Sequence, residues 1–262
     1  MSSSMTDAKY DDAVEFYSSF VRRSLASPTS VLSVTTQGVF NLLGDVKNLK
    51  ICDVACGEGH LSRRLAEQGA SVIGIDISKG LLECAREQSN AELDIAFRKD
   101  DAQVLKTIPE QDFDLAVSNL ALMDIPDHKK VFGACHRILK QGGALVFSVL
   151  HPCFESPFNQ HNPPIELNGK GEFLACRVHS YLEEGFWKSD GDGVRGRVGA
   201  YHRTLSTYLN DLLYSGFRLS HIEEVSLPKK NYSKMEEQWF SHIPKGLVVK
   251  AYKGQVNVLP GI

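Results

Sequence analysis

The sequence lacks any long apolar run. No stretch approaches the ~20 apolar residues that a helix needs to span a bilayer. The polar start MSSSMTDAKYDDA does not have the apolar core of a signal peptide. We therefore expect a cytoplasmic protein that does not enter a membrane.

Positive charge is not in excess either. The 29 Lys and Arg residues are outnumbered by 32 Asp and Glu residues, which gives a net charge of −3 and a pI near 6.3. A chain with this balance has no general attraction to a polyanion. We therefore expect no nucleic-acid partner.

The six cysteines do not follow the pattern of a metal site or a disulfide framework. None belongs to a CxxC pair or stands at His-Cys ligand spacing, and several fall in segments predicted to be buried. Free, packed thiols are the expected state. Because the acids and histidines do not cluster at ligand spacing either, we expect no metal site.

The composition supports a folded core. A chain of 262 residues with 42% hydrophobic content can hold one large α/β domain with an insertion. Periodicity predicts a first helix over residues 7–25, a third strand over 93–97, a turn at 140–143 before a fifth strand at 144–150, and a helix over 201–215.

The most informative segment covers residues 50–78. It predicts a buried strand, a glycine turn at 56–59, a helix and a second strand that ends at Asp76. Open α/β sheets bind ligands at the carboxyl ends of such strands, glycines allow close approach of the backbone, and the helix start offers free amide donors. Since Asp76 is placed to accept hydrogen bonds from a ribose diol, the segment predicts a nucleoside-binding half.

Two kinds of nucleoside-binding domain fit this segment. The dinucleotide fingerprint GxGxxG uses the same physics and also ends in an acid after the second strand. Here Ser62 occupies the third glycine position, and Asp53 adds an acid inside the first strand. The segment DVACGEG resembles motif I of the class I S-adenosylmethionine-dependent methyltransferases, with Ala55 where the family's first glycine usually stands. Gly57 and Gly59 are then the pair that passes under the methionine and ribose portions of the cofactor.

The resemblance extends over roughly Leu49 to Lys253. The string HRILKQGGALVFSV is similar to the family's segment leading into the fifth strand, and two final strands, 217–226 and 246–252, fit its antiparallel terminal hairpin. The implied fold class is α/β, a Rossmann-like seven-stranded sheet with helices on both faces. The implied division is an N-terminal helical cap (1–47), a methyltransferase domain (48–253) with a pocket insertion after the fifth strand (151–200), and a C-terminal tail (254–262).

The same resemblance implies S-adenosylmethionine as the cofactor, with S-adenosylhomocysteine as the product. Asp101 would accept from the exocyclic amine of adenine beside Ala102, although a helix cap by Asp100 or Asp101 is an alternative reading. The segment after the fourth strand would hold the methionine end. The cofactor-binding residues implied are Tyr10, Asp53, Ala55, Gly57, Gly59, Asp76, Ile77, Asp101, Ala102, Asn119, Leu120 and Met123.

The chain looks most like the type 11 small-molecule methyltransferases, a group that includes enzymes of natural products. We therefore expect methyl transfer to an O, N or C atom of a small-molecule acceptor. A base would help a hydroxyl or a protonated amine, and His151 and His202 are the candidates, the second at the start of the predicted helix. The cap and the aromatic-rich insertion are expected to form the substrate pocket, with Tyr17, Phe154, Phe186, Trp187 and Tyr201.

Three other kinds of protein share part of this sequence pattern. Enzymes that methylate exocyclic amines of nucleic-acid bases carry an Asn/Asp-Pro-Pro-aromatic motif after the fourth strand; SNLALM lacks it, and residues 162–165 imitate it in the wrong place. An NAD-dependent oxidoreductase of the short-chain type would need a tyrosine followed four positions later by a lysine, which is absent here. A non-catalytic S-adenosylmethionine-binding regulatory protein would need no acceptor pocket. The sequence does not indicate an oligomeric state.

Overall fold

The computed structural model describes residues 10–154, 165–227 and 235–254. Residues 162–164 of the proline-rich stretch, 7–9 of the predicted first helix and 255–262 of the tail lie outside these ranges. The helices described are α1 (Val14–Leu25), α2 (Val31–Leu43), α3 (His60–Glu67), α4 (Lys79–Glu87), α5 (His128–Ile138), α6 (Val194–Arg197), α7 (Leu205–Tyr214) and α8 (Met235–Phe240), with a 3-10 turn at Leu122–Asp124.

The strands form one large sheet and two small ones. The strands described are β1 (Lys50–Val54), β2 (Ser71–Asp76), β3 (Ile95–Lys99), β4 (Phe113–Asn119), β5 (Leu139–Leu150), β6 (Ile165–Leu167), β7 (Phe173–Cys176), β8 (Gly185–Trp187), β9 (Ala200–His202), β10 (Phe217–Val225) and β11 (Gly246–Lys253). β6 pairs with β7 and β8 with β9, both antiparallel; β6, β7 and β8 lie in the insertion, and β9 begins at its last residue.

The large sheet has the order β10-β11-β5-β4-β1-β2-β3. Five neighbouring strands of this order are parallel, namely β5, β4, β1, β2 and β3. β11 runs antiparallel to β5, and β10 runs antiparallel to β11. The predicted seven-stranded α/β fold and its antiparallel terminal hairpin are therefore confirmed. The carboxyl ends of β1, β2 and β4 meet at one edge, which positions the residues that follow them.

Both faces of this sheet are buried. Phe147 belongs to a core cluster that includes Phe113 and Phe132, whereas the preceding Val146 packs on the other face in a cluster with Ile51. This alternation follows from the two-residue period of a strand, and burial on both faces is typical of a parallel sheet covered by helices.

Side-chain caps fix several helix starts. Ser78 accepts a hydrogen bond from the Leu81 amide at 3.1 Å and so caps α4. Thr204 caps α7 by accepting from the Thr207 amide at 3.2 Å. The prediction that this helix begins at Tyr201 is wrong, because residues 200–202 form β9 and pair with β8 instead. A pairing with a strand fifteen residues away leaves no local signal in the sequence.

Three other boundaries differ from the predictions. α1 begins at Val14, and β3 lies two residues later than predicted, at Ile95–Lys99. β5 begins at Leu139, so the predicted turn lies within this strand. Leu139 pairs with Phe113 and Ala144 pairs with Leu115, and the extra residues of β5 between these two pairs form a bulge. Gly142 has φ of 75° in this bulge, the left-handed region that glycine adopts without strain.

The two N-terminal helices have different places. α2 packs against the sheet, and a Cβ atom on its Gly38 would lie 3.0 Å from Val248 of β11. α1 instead approaches α4, where Val14 would meet a Cβ atom on Gly80 at 2.7 Å. The two helices of the predicted cap therefore differ: α2 covers the sheet, and α1 lies against α4. No helix in the described ranges combines the length and the apolar character needed to cross a membrane.

Candidate functional site

A cavity opens at the carboxyl edge of the sheet, between the strand ends and α1, and its space amounts to about 830 Å³ together with the open solvent at its mouth. Its walls combine apolar side chains with several carboxylates and two tyrosines. The residues that line it are Tyr10, Tyr17, Ala55, Gly57, Asp76, Ile77, Leu81, Asp101, Ala102, Gln103, Asn119, Leu120, Ala121, Asp124, Ile125, Pro126 and Val198. We call this the first cavity.

The turn after β1 forms part of its floor. Ala55 and Gly57 both adopt positive φ values, 58° and 57°. A Cβ atom on Gly57 would lie 3.4 Å from the Tyr17 ring, so this tyrosine of α1 lies directly over the turn. Gly59, with φ of 80°, does not line the cavity and packs against Phe97 and Ala85 instead. The two predicted cofactor glycines therefore have different structural reasons to be glycine.

Asp76 is held rigidly at the end of β2. Its carboxylate accepts hydrogen bonds from the backbone amides of Gly57 at 2.8 Å and Ser78 at 2.9 Å. Burial raises the pKa of Asp76, and these hydrogen bonds oppose the shift. The acid therefore connects the glycine turn to the end of β2 and also faces the first cavity.

Asp53 lies beneath the turn and does not line the cavity. Its side chain is 1% exposed and accepts a hydrogen bond from the Ser62 hydroxyl at 2.6 Å. Burial raises the pKa of Asp53 to about 7. The structure thus places Asp53 where it supports the turn from below, at the position where Ser62 replaces the third glycine of a dinucleotide fingerprint.

The ends of β3 and β4 supply another wall. Asp101 lines the cavity beside Ala102 and also accepts from the Gln103 amide at 2.8 Å, so it combines the predicted location with a local turn. The Asn119 side chain donates to Thr36 at 3.0 Å and accepts from the Ser148 hydroxyl at 2.6 Å. Leu120 follows with a strained φ of 54°.

The cap is fastened to the sheet edge by polar contacts that the sequence did not reveal. The Tyr10 hydroxyl donates to Asp124 at 2.7 Å, and Asp124 also forms an ion pair with Arg195 of the insertion. Burial raises the pKa of Tyr10 well above its usual range, and Asp124 adds to the effect. An acid shortly after the fourth strand was a usable signal for Asp124, whereas nothing local pointed to Arg195.

A second, smaller cavity of about 310 Å³ lies on the insertion side. Met123, predicted to hold the cofactor, borders this second cavity rather than the first. Trp187, Tyr201 and His202 also line it, together with Leu150, Pro152, Arg195, Ala200, Arg203 and Tyr208.

The predicted bases and two predicted aromatic contacts lie away from the first cavity. His151 is buried, with Nε2 at 3.0 Å from Glu224 Oε1 and Nδ1 accepting from the Cys153 amide at 3.3 Å. Burial lowers the pKa of His151, and Glu224 opposes the shift. Phe154 packs on the His151 ring, and Phe186 packs on Tyr201; neither lines a cavity described above. His202 Nε2 lies 2.8 Å from the Tyr181 carbonyl oxygen and donates to it.

The described ranges contain no group of three or more His, Cys, Asp or Glu side chains that could hold a metal ion. All six cysteines lie in these ranges and are free.

Solved structures with this fold identify the family. An S-adenosylmethionine-dependent methyltransferase from Mesorhizobium loti is 32% identical, superimposes with a TM-score of 0.70, and is matched over 82% of this chain and 96% of its own. The chain belongs to the S-adenosylmethionine-dependent methyltransferases.

Sequence comparisons agree with this membership. The family model described as "Methyltransferase domain" matches residues 52–147 of this methyltransferase, which confirms the predicted class I, type 11 resemblance. An uncharacterized protein of Haemophilus influenzae is 30% identical over 234 residues, 87% of this chain and 91% of that protein. A ubiquinone biosynthesis O-methyltransferase of Alkalilimnicola ehrlichii is 36% identical over 114 residues, which is only 43% of this chain and 46% of that protein.

S-adenosylmethionine is accordingly the cofactor of this methyltransferase, as predicted. The first cavity fits such a molecule. It combines a backbone turn with no side chain at Gly57, fixed carboxylates at Asp76 and Asp101, and apolar walls at Ile77 and Leu120. A nucleoside attached to an amino acid and a sulfonium presents the complementary groups: a diol, a flat apolar base and a cation.

Proposed function

We propose that this methyltransferase transfers the methyl group to an O, N or C atom of a small-molecule acceptor bound next to the cofactor. The enclosure of the first cavity carries this proposal. Tyr10 and Tyr17 cover it from the N-terminal side and Val198 from the insertion. A cavity covered by two separate chain segments suits a small acceptor better than a folded macromolecule or a duplex, and the net charge of −3 adds no attraction to nucleic acid.

The residues of the first cavity suggest how the cofactor is held. We assign Asp76 to the ribose diol and Asp101 with Ala102 to the adenine. Gly57, Asn119 and Leu120 are assigned to the methionine end. Tyr10 and Tyr17 add aromatic faces that favour a sulfonium cation.

Catalysis then needs little more than placement. The bound cofactor supplies an electrophilic methyl group. The protein must align the acceptor atom, exclude water and accept a proton where the acceptor releases one. His151 uses both ring nitrogens in other contacts, so we no longer propose it as the base. His202 stays a candidate only for an acceptor that occupies the second cavity.

Calorimetry with the purified chain tests the cofactor site. S-adenosylhomocysteine should bind and NAD should not, because we assign the cavity to a single nucleoside with an amino-acid tail. A radiolabelled-methyl screen against metabolite extracts then tests transfer to small molecules. Binding of NAD in place of S-adenosylhomocysteine would contradict the assignment, and labelled protein or RNA as the sole product would contradict the small-molecule acceptor.

The variant Asp76→Ala tests the nucleoside contact. Removing charged hydrogen bonds to the ribose should weaken S-adenosylhomocysteine binding by about 1–3 kcal/mol. Asp94→Ala is the matched control, because Asp94 is an exposed acid just before β3, at the opposite edge of the sheet. If both variants bind with wild-type affinity, Asp76 does not contact the ribose.

A further inference from the structure

The second cavity is cationic and aromatic. Two arginines, Arg195 and Arg203, line it together with the rings of Trp187, Tyr201 and Tyr208. Among the described residues that form its walls there is no carboxylate. Arg195 forms an ion pair with Asp124, which lines the first cavity. The other arginine of this cavity, and its positive charge, is Arg203.

Arg203 is a buried cation held by neutral groups. The residue is 7% exposed, and its guanidinium lies 5.0 Å from the centre of the Tyr201 ring. Its N–H groups donate to the carbonyl oxygens of Leu122 at 3.0 Å, Ile125 at 2.7 Å and Pro126 at 2.8 Å. The Tyr208 side chain is a further hydrogen-bonding partner. These partners orient the guanidinium, but none of them carries a negative charge.

Two acids that share His128 as a neighbour with Arg203 are engaged elsewhere. Glu184 accepts from the Thr204 amide at 2.8 Å and from the Thr204 hydroxyl at 2.9 Å. Asp211 lies 3.1 Å from His128 Nε2 and 3.4 Å from Lys129 Nζ. Within the described part of the chain, no ion pair joins Arg203 to a carboxylate. An uncompensated buried charge is costly, and an anionic ligand would lower that cost.

The two cavities share one thin wall. Asp124, Ile125 and Pro126 face the first cavity, whereas Met123 of the same 3-10 turn faces the second. The Asp124–Arg195 ion pair crosses this wall. A ligand in the second cavity is therefore a direct neighbour of one in the first.

We propose that the second cavity binds the carboxylate group of the methyl acceptor, so that the acceptor is an organic acid with an aromatic or apolar body. Four of the five N–H groups of Arg203 are engaged by Leu122, Ile125, Pro126 and Tyr208, so one N–H and the positive charge are left for a carboxylate oxygen. The rings of Trp187, Tyr201 and Tyr208 suit an apolar body. That the bound acid is the methyl acceptor rests on the function proposed above, whereas the carboxylate site itself does not.

Binding measurements test the site without turnover. The probes are benzoate, phenylacetate and 3-phenylpropionate, each compared by calorimetry with its uncharged primary amide, using protein saturated with S-adenosylhomocysteine. At least one acid should bind tenfold or more tightly than its amide. Equal affinities within all three pairs would overturn the carboxylate site while leaving the methyltransferase function intact, because binding of S-adenosylhomocysteine is measured in the same samples.

Two variants locate the binding. Arg203→Met removes the charge at similar length and should reduce the acid-to-amide ratio to about one. Since Arg203 also anchors three carbonyls, Ala200→Leu provides an independent test: it fills the cavity, keeps both arginines and should abolish binding of the acid and the amide alike. Arg23→Met, at an exposed arginine of α1, is the control and should keep the wild-type ratio. An acid preference that survives in Arg203→Met, or acid binding that survives in Ala200→Leu, would overturn the assignment to this cavity.

Discussion

The nucleoside-binding half and the insertion are built in different ways. In residues 50–119, β1, β2 and β4 lie inside the seven-stranded sheet, and the cavity residues stand at strand ends fixed by that sheet. In the described part of the insertion the strands have only three or four residues and pair in twos. The comparison teaches that the nucleoside-binding half is held by the large sheet and encoded locally, whereas the insertion depends on a few long-range contacts.

The largest expected effect concerns the buried acid under the donor site. Burial raises the pKa of Asp53 from its ordinary value of 3.8 to about 7. The folded state therefore keeps a proton that the unfolded chain releases between these values, so folding stability falls as pH rises across this window. Asp53→Asn cannot titrate, and relative to wild type it should gain on the order of 2–4 kcal/mol between pH 4 and pH 7. Urea unfolding of the ligand-free proteins at several pH values measures the difference.

Glu184 of the insertion is the matched control, with the opposite sign. Burial raises the pKa of Glu184, but the hydrogen bonds from Thr207 and Thr204 outweigh it and leave the pKa below its ordinary value. Such an acid contributes stability above its unfolded pKa, and the contribution is lost as pH falls through the folded pKa. Glu184→Gln should therefore lose stability at neutral pH and approach wild type in acid. Two variants with the same pH dependence would contradict the contrast between the regions.

The next effect tests how tightly each region is packed. Gly59 and Gly171 both have positive φ, 80° and 77°. A Cβ atom on Gly59 would lie 2.8 Å from the Phe97 ring, whereas one on Gly171 would have nothing within 4 Å. Gly171→Ala should cost only the backbone strain, about 1–2 kcal/mol. Gly59→Ala should cost about 2–4 kcal/mol, because overpacking adds to the strain.

Denaturant unfolding of both glycine variants gives the comparison. Equal losses of unfolding free energy would show that the glycine turn of the donor site is no more constrained than a surface hairpin of the insertion. A larger loss at Gly171 would reverse the contrast between the two regions.

The sequence allowed the donor side to be predicted because its signals are local. Ser78, three residues before the amide it caps, and the glycines after β1 carry their meaning within a few positions. Asp76 follows from its place at a strand end. The seven-stranded sheet with its antiparallel terminal hairpin came from the family resemblance and is confirmed.

The N-terminal cap and the insertion resisted prediction because their contacts join distant segments. Tyr10 reaches Asp124 across 114 positions, and Arg195 reaches Asp124 across 71. His202 was assigned to a helix because residues 201–215 look amphipathic, yet Thr204 provides the cap and the preceding residues pair with β8. Nothing local in the sequence points to Arg203, because its carbonyl partners come from the turn after β4.

The smallest expected effect is at Ala55, where this chain departs from the family's glycine. Its φ of 58° costs an alanine about 1–2 kcal/mol. Glycine would relieve that strain, but it would add about 0.4–1 kcal/mol of backbone entropy to the unfolded chain. Ala55→Gly should therefore stabilise the protein by about 0.5–1 kcal/mol in denaturant unfolding.

The exposed Ala96 of β3 is the control for Ala55→Gly, because φ at Ala96 is not positive. Ala96→Gly should destabilise the protein by about 0.5–1 kcal/mol, since glycine in a strand loses more conformational freedom on folding. Opposite signs at the two alanines would show that the donor site stores strain in its backbone. Loss of stability at both would show instead that the Ala55 side chain contributes packing that outweighs its strained conformation.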